Sequence, residues 1–399
     1  MDINCIYNPK VLIVTRHFPP ILNGPSIVLS KLVSHWPKVF FSIFTRDYHK
    51  SYESIDYDYE LDIPTVRFRW NNSETRINRI NDFAKIRRLV KGICVEAILR
   101  KSQIILGITD DGPFFISAYL AAKKLDIPLV IYMLDLYEEG RRSRIQKFFA
   151  KRYEPRIFAY ASAVLVMSER MQDHYQQKYG VGSTVVPHPI DTGTIINTVS
   201  VIKQKEIKNR PLQVVFTGHI TAAQYGSIMD LVRIVGDNPS EFSLKLCVPM
   251  KEALKGILPS NVEMISLGRK DVLKAQRDAD ILFLPYSFDN PYPDIIRTAS
   301  PSKLPEYLAA GRPILYYGPE YSYVKWYFDK TKAALCVTRP ERNDLLKALR
   351  YLRDGDGIRN EIARNAVEAA KVHKSETVAN SVWQTFIKVF DANGQFGRF

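Results

Sequence analysis

Short, nearly uninterrupted apolar runs recur along this chain with helical stretches between them, and that alternation decides the fold class. The runs in the first half are 10–15, 39–45, 65–68, 103–108, 129–133, 163–167 and 184–186. Helices are predicted over 26–36, 77–100, 114–124, 145–160 and 169–179. A strand that is apolar at every position is covered on both faces, and a parallel sheet with helices on each side supplies that environment. After the polar stretch 203–210 the rhythm restarts, with runs at 212–217, 243–248, 262–265, 280–284, 313–317 and 333–337. Helices between them are expected to begin near Ser227, Lys251, Asp271 and Ser302.

A chain of 399 residues exceeds one ordinary hydrophobic core. The reading is α/β, with two Rossmann-like parallel-sheet domains facing across a cleft. The first covers 1–195 and the second 205–372; a last helix from His373 packs 373–399 back on the first. Open parallel sheets bind ligands beyond the carboxyl ends of their strands, so functional residues are sought there.

Cys5, Cys94, Cys247 and Cys336 are far apart and form no metal-ligand spacing, which points to reduced thiols. The start of the chain lacks the basic and apolar segments of a signal peptide, and no window of eighteen residues is apolar enough to span a bilayer. A cytoplasmic protein is expected. The net charge of +14 (56 basic against 42 acidic) still needs a purpose. Much of it lies at 76–101 and 141–156, and the second block interleaves Ile145, Phe148, Phe149 and Tyr153 with cations at helical spacing. Such a helix seats on the inner face of an anionic membrane, or else packs on its own core. With no zinc-finger spacing, aromatic RNA-binding strand or basic tail, nucleic acid is excluded as a partner.

One stretch gathers cap, helix, charge and strand: 301–315, which reads PSKLPEYLAAGRPIL. Pro301 and Ser302 open a helix and Gly311 closes it, so Glu306 lies about one turn inside. Free N–H groups near Lys303 and Leu304, with the Lys303 ammonium, suit a diphosphate. The Glu306 carboxylate accepts from a cis-diol such as a ribose; alternatively it merely sits in the first turn of a structural helix. Phe216-Thr217-Gly218-His219 ends the first strand of this domain and brings flexible backbone and an imidazole to the same end. Arg269, after Gly268, and Tyr286, after the run 281–285, are candidates for touching base or phosphate, with surface charge and aromatic packing as their ordinary roles.

In the first domain Gly24 stands where a strand passes into a helix, either lining the cleft or making a simple turn; with no GxGxxG around it, a nicotinamide or flavin is not indicated. Asp135 emerges after the run 129–134, beside Tyr137, Glu138 and Glu139, as an acceptor-hydroxyl contact or a helix cap. His17 and His188 contact phosphate or sugar, or satisfy their own loops. Asp56-Tyr57-Asp58 spells a metal motif but precedes a strand, and no metal is expected.

Together these segments resemble glycosyltransferase family 4, the retaining sugar-nucleotide transferases of the two-Rossmann-domain architecture called GT-B. The similar pieces are the loop from Phe18 to Gly24, the run 163–168, Val186-Pro187-His188-Pro189-Ile190-Asp191, the loop 218–224, Ala279-Asp280-Ile281 and the stretch 301–313. The resemblance implies that Glu306 holds the donor ribose, that Ser302 and Lys303 lie at the diphosphate, and that Gly24 lies where the first domain approaches the phosphates. Two departures stand out: Thr298 occupies the place of the usual first glutamate, and the loop 218–226 lacks the customary Arg and Lys.

The resulting expectation is a metal-independent, retaining glycosyltransferase with Asp135 and Lys303 as catalytic residues. Gly24, Gly218, His219, Arg269, Tyr286, Ser302, Lys303, Leu304 and Glu306 form the binding set. It needs no cofactor beyond a nucleoside diphosphate sugar, UDP-sugar favoured, and its acceptor is a glycan or lipid-linked hydroxyl in surface polysaccharide or glycoconjugate synthesis. A sugar-nucleotide 2-epimerase and a noncatalytic scaffold of a glycan-assembly complex are the alternatives.

Overall fold

The computed structural model describes residues 8–394 apart from 21–22, 48–62, 69–83, 111, 142, 197–209, 250–253, 255 and 257. The expected helix near Lys251, the start of the helix expected over 77–100, Cys5 and Asp56-Tyr57-Asp58 lie outside the described residues. The chain divides into two compact units, Met1–Pro189 with Ser375–Phe399, and Ile190–Lys374.

The first unit holds a seven-stranded sheet. Its strands are β1 (Val11–Val14), β2 (Phe41–Arg46), β3 (Thr65–Phe68), β4 (Ile104–Ile108), β5 (Leu129–Met133), β6 (Ala163–Val166) and β7 (Thr184–Val185). They run in the order β3-β2-β1-β4-β5-β6-β7, every neighbouring pair parallel. Every residue of β1, β2, β4 and β5 is buried, as apolar strands covered on both faces must be. Gly107 in β4 is a close-approach glycine, because a Cβ there would stand 3.2 Å from that of Ala118 on helix Pro113–Leu125. One boundary differs from expectation. Residues 38–40 form a single 3₁₀ turn after Pro37, which leaves Val39 79% exposed and starts β2 at Phe41.

Helix Ser375–Ala392 belongs to this unit. The Trp36 ring lies 5.6 Å from that of Trp383 and 5.5 Å from that of Phe386, and its Nε1 donates to the Ala379 carbonyl at 2.9 Å.

The second unit contains six parallel strands, β8 (Leu212–Thr217), β9 (Phe242–Cys247), β10 (Val262–Ile265), β11 (Ile281–Pro285), β12 (Ile314–Tyr317) and β13 (Leu335–Val337). Their order is β10-β9-β8-β11-β12-β13. In both sheets the strand order reverses beside the first strand, so the loops after β1 and β8 sit at topological switch points, where open sheets take ligands. Ala279-Asp280-Ile281 has a structural task here: Asp280 accepts two hydrogen bonds from Arg210, at 2.5 and 2.7 Å, and one from the Gln213 backbone, fixing β11 against β8. Helices Arg342–Asp354 and Asp356–Ala370, which the strand and helix pattern did not announce, complete the unit.

Candidate functional site

In the second unit the polypeptide leaves β8 through Gly218, whose φ of +104° is a conformation that side chains disfavour. A Cβ at Gly218 would come within 3.3 Å of Lys303 Nζ, so the ammonium rests directly on this turn. It also lies 3.9 Å from the centre of the Phe216 ring, a cation–π contact. No carboxylate hydrogen-bonds to it among the described contacts. Burial pushes the Lys303 ammonium down to about 7, with the charge of Glu306 pulling the other way. The lysine is thus a cation that lacks a close counter-ion and gains from the arrival of an anion.

One turn on, the Glu306 carboxylate receives Arg269 Nη2 on Oε1 at 2.5 Å and Gln276 Nε2 on Oε2 at 3.4 Å. Gln276 also donates to Thr217 Oγ1 at 2.9 Å, and the Thr217 backbone N–H donates to the Tyr307 hydroxyl at 2.9 Å. Gln276, Thr217 and Tyr307 are all buried and lock the end of β8 onto helix Leu304–Ala309. The sequence reading missed this trio. A signal existed: helix Arg269–Asp278 is polar almost throughout, yet Gln276 falls two turns after Arg269 on the same face, where an amide marks a buried hydrogen-bonding need.

Of the residues predicted for this unit, Gly218, Lys303, Arg269 and Glu306 come together, while Ser302 and His219 are exposed beside them. Two need correction. The Leu304 N–H already donates to the Pro301 carbonyl at 2.9 Å and its side chain is fully buried, so it has no amide to offer a phosphate. Tyr286 is 6% exposed and packed in the core around Tyr316 and Tyr323; its N–H donates to the Tyr317 carbonyl and its carbonyl accepts from Ser227.

In the first unit Gly24 opens helix Gly24–Val33, capped by the Asn23 side chain accepting from the Ser26 N–H at 3.1 Å. Nothing lies within 4 Å of where a Cβ would stand, so the position offers open space and makes no conformational demand for glycine. Asp135 follows β5 and is exposed, although protein atoms crowd around its carboxylate. Surrounding protein disfavours its charge and raises its carboxyl to about 6, against the pull of Arg141. Arg141, grouped by sequence with the basic helix, is a loop brace instead: it donates to the carbonyls of Tyr137 at 2.7 Å and Asp110 at 2.9 Å and stacks over the Tyr137 ring.

Beyond Asp135 the chain is fastened by an ionic network that the sequence did not reveal. Lys178 donates to Glu138 at 3.0 Å, Glu139 at 2.8 Å and the fully buried Glu154 at 2.9 Å; Glu154 also accepts from Tyr179 and from the Glu138 backbone. Burial works to raise the Glu139 carboxyl, but hydrogen bonds from His174 and Lys178 outweigh it and hold the group at about 2. Burial raises the Glu154 carboxyl despite Lys178, and Lys178 itself is raised because its three carboxylates outweigh the burial. Among the described residues no three His, Cys, Asp or Glu side chains are grouped as ligands of a metal ion.

Residues 35–194 match the profile of Glycosyltransferase Family 4. No curated protein sequence matches the chain. Solved structures with the same architecture include sucrose-phosphate synthase from Thermosynechococcus elongatus, with a TM-score of 0.70 and 14% identity over 96% of this chain and 99% of that one. HepE of Anabaena, in complex with UDP and glucose, gives 0.68 and 13% over 94% and 99%. A putative UDP-N-acetylglucosamine 2-epimerase from Listeria monocytogenes gives 0.57 and 14% over 94% of each chain. The similarity to that family covers residues 35–194, and the chain has the GT-B fold, two Rossmann-like units each built on a parallel sheet.

Proposed function

We propose that the protein is a retaining, metal-independent glycosyltransferase that moves a glycosyl group from a UDP-sugar to a hydroxyl of a glycan or lipid-linked acceptor. The observation that carries this reading is Lys303 Nζ lying on the Gly218 turn, one helical turn from the Glu306 carboxylate. A diphosphate on Gly218 gives the lysine its missing counter-ion, and a ribose diol one turn away exchanges hydrogen bonds with Glu306, displacing or sharing Arg269. HepE, a fold neighbour, is known with UDP and glucose bound, which supports UDP as the donor base.

In the reaction the bond from the anomeric carbon to the diphosphate oxygen breaks, and the acceptor oxygen bonds to that carbon on the same face. The acceptor proton passes to an oxygen of the departing diphosphate. Negative charge grows on that diphosphate, and Lys303 is already in position to stabilise it without reorganising. No side-chain nucleophile is required. Asp135, with its raised carboxyl, orients the acceptor hydroxyl. A 2-epimerase needs acid and base groups clustered around the sugar, whereas Glu306 is the carboxylate that the second-unit cluster supplies.

Calorimetric titration with UDP tests the donor reading. Glu306→Gln keeps the shape but removes a charged acceptor, so affinity is expected to fall by about 1.5–3 kcal/mol with the melting temperature unchanged. Equal affinity in the variant removes Glu306 from the ribose role. A turnover screen then decides the class: acceptor-dependent release of UDP supports transfer, and an epimer formed without acceptor supports epimerisation. Tight partner binding with no donor binding favours a scaffold.

Among the described residues no helix is long and apolar enough to cross a membrane. Helix Arg144–Tyr160 instead presents Arg144, Lys147, Lys151, Arg152 and Arg156 to solvent around Ile145, 37% exposed, and Phe148, 66% exposed. This face supports peripheral attachment of a cytoplasmic protein to an anionic inner membrane surface, within reach of a lipid-linked acceptor. Vesicle binding that weakens with salt and with Gln at those cations is the expected result.

A further inference from the structure

The end of the first sheet remote from Gly24 and Asp135 has its own cavity, of about 650 Å³. It opens where β1, β2 and β4 begin. Four cations line it, Lys10, Lys38, Arg100 and Lys101, together with Val39 and Leu99. The size falls within the range of small-molecule sites.

The cations are the first anomaly. Arg100 pairs with Glu96 at 2.9 Å, whereas among the described residues Lys10, Lys38 and Lys101 make no ion pair. Arg100 and Lys101 follow the carboxyl end of helix Ile86–Leu99 and complement its partial negative charge. That accounts for two of the four. Lys10 and Lys38 arrive from other segments, ahead of β1 and β2, and their convergence on the same space raises the local positive potential, with no carboxylate lining the cavity among the described residues.

The apolar rim is the second. Val39 is 79% exposed, Leu99 71% and its neighbour Ile98 64%. A single exposed aliphatic residue is ordinary, but here two line one cation-lined cavity, with Ile98 next to one of them in the chain. In its wall stands Ser42, 4% exposed, whose hydroxyl has no hydrogen-bond partner among the described residues. Such a group ordinarily finds one.

We propose that this cavity binds an amphiphilic anion, a phosphate on an apolar chain, with the phosphate among Lys10, Lys38, Arg100 and Lys101 and the chain along Val39 and Leu99. The site is separate from the donor cluster and from the basic face of helix Arg144–Tyr160. The ligand is either free in solution or the headgroup of a bilayer lipid, and the chemistry of recognition is the same for both.

The test uses the full chain and decyl phosphate below its critical micelle concentration, with inorganic phosphate and decanol as controls. Saturable binding at least about tenfold tighter than either control is expected, since head and tail contacts act together. The triple substitution Lys10→Gln, Lys38→Gln, Lys101→Gln should weaken it by about tenfold or more, and Leu99→Ser by less. All four side chains are exposed, so the variants keep the parent melting temperature and UDP affinity. Vesicles of phosphatidic acid in phosphatidylcholine separate the sources once Arg144, Lys147, Lys151, Arg152 and Arg156 are replaced by Gln: in that background, sedimentation that the triple substitution abolishes identifies a lipid headgroup, and absence of sedimentation beside retained decyl phosphate binding identifies a soluble ligand. Decyl phosphate that binds no better than its controls, or equally well to parent and triple variant, overturns the proposal.

Discussion

Lys178 in the first unit and Lys303 in the second are both partly buried lysines near the carboxyl ends of parallel strands, yet their surroundings are opposite. Lys178 is held by three carboxylates within 3.0 Å, and its charge is stabilised beyond that of a free lysine. Lys303 lies over an aromatic ring and a glycine turn, and burial brings it down to about 7. A cation whose electrostatic demand is met inside the protein is a fastening. One whose demand is left open is stabilised by an anion arriving from outside, the role proposed for Lys303.

The largest effect that sharpens this contrast is loss of the fastening. Lys178→Met leaves Glu154 buried and without its cation, and about 3–5 kcal/mol of unfolding free energy should disappear in urea titration, a typical cost for breaking a buried pair. A loss under about 1 kcal/mol would show that the network is not what holds the 134–141 loop.

Next comes the receptor. Lys303→Ala should weaken UDP by about 1.5–3 kcal/mol while leaving urea stability unchanged or slightly raised, because a desolvated cation is removed. Equal stability losses in the two lysine variants would erase the distinction between them.

Comparable in size but sharper in sign is the pH dependence. Below pH 7 free Lys303 carries the charge that a diphosphate needs; above it, binding must take up a proton. UDP affinity should therefore fall as pH rises from 7 to 9, approaching about tenfold per pH unit, and this dependence should vanish in Lys303→Ala. For stability the same depressed cation acts in reverse: its burial cost is fully present below pH 7 and is relieved as pH climbs toward the 10.5 of an unfolded lysine. The smallest expected effect is that of Gln276→Leu, which removes the amide between Thr217 and Glu306 and should weaken UDP by about 1 kcal/mol through misplacement of Glu306.

Strands such as β4 and β5 were readable because burial on both faces makes them apolar at every position, a signal that needs no knowledge of partners. Val39 shows the limit: an apolar residue beside a strand looks like part of it until Pro37 and the 3₁₀ turn turn it outward. That Gly218, Lys303 and Glu306 come together was legible because a strand end and a short helix place them locally. Leu304 and Tyr286 were misread because their neighbours, the Pro301 carbonyl and the aromatic core, had already satisfied them. The Lys178 network joins residues 24 to 40 positions apart, and only tertiary packing brings them together.

The return of helix Ser375–Ala392 to the first unit sets an order of events during synthesis. Ile190–Lys374 is one uninterrupted segment and has all of its strands once Lys374 has left the ribosome. Trp36, made far earlier, waits for Trp383 and Phe386 to cover it. The second unit is therefore expected to reach its native form first, and the nascent first unit must keep an aromatic face shielded by other means for most of translation.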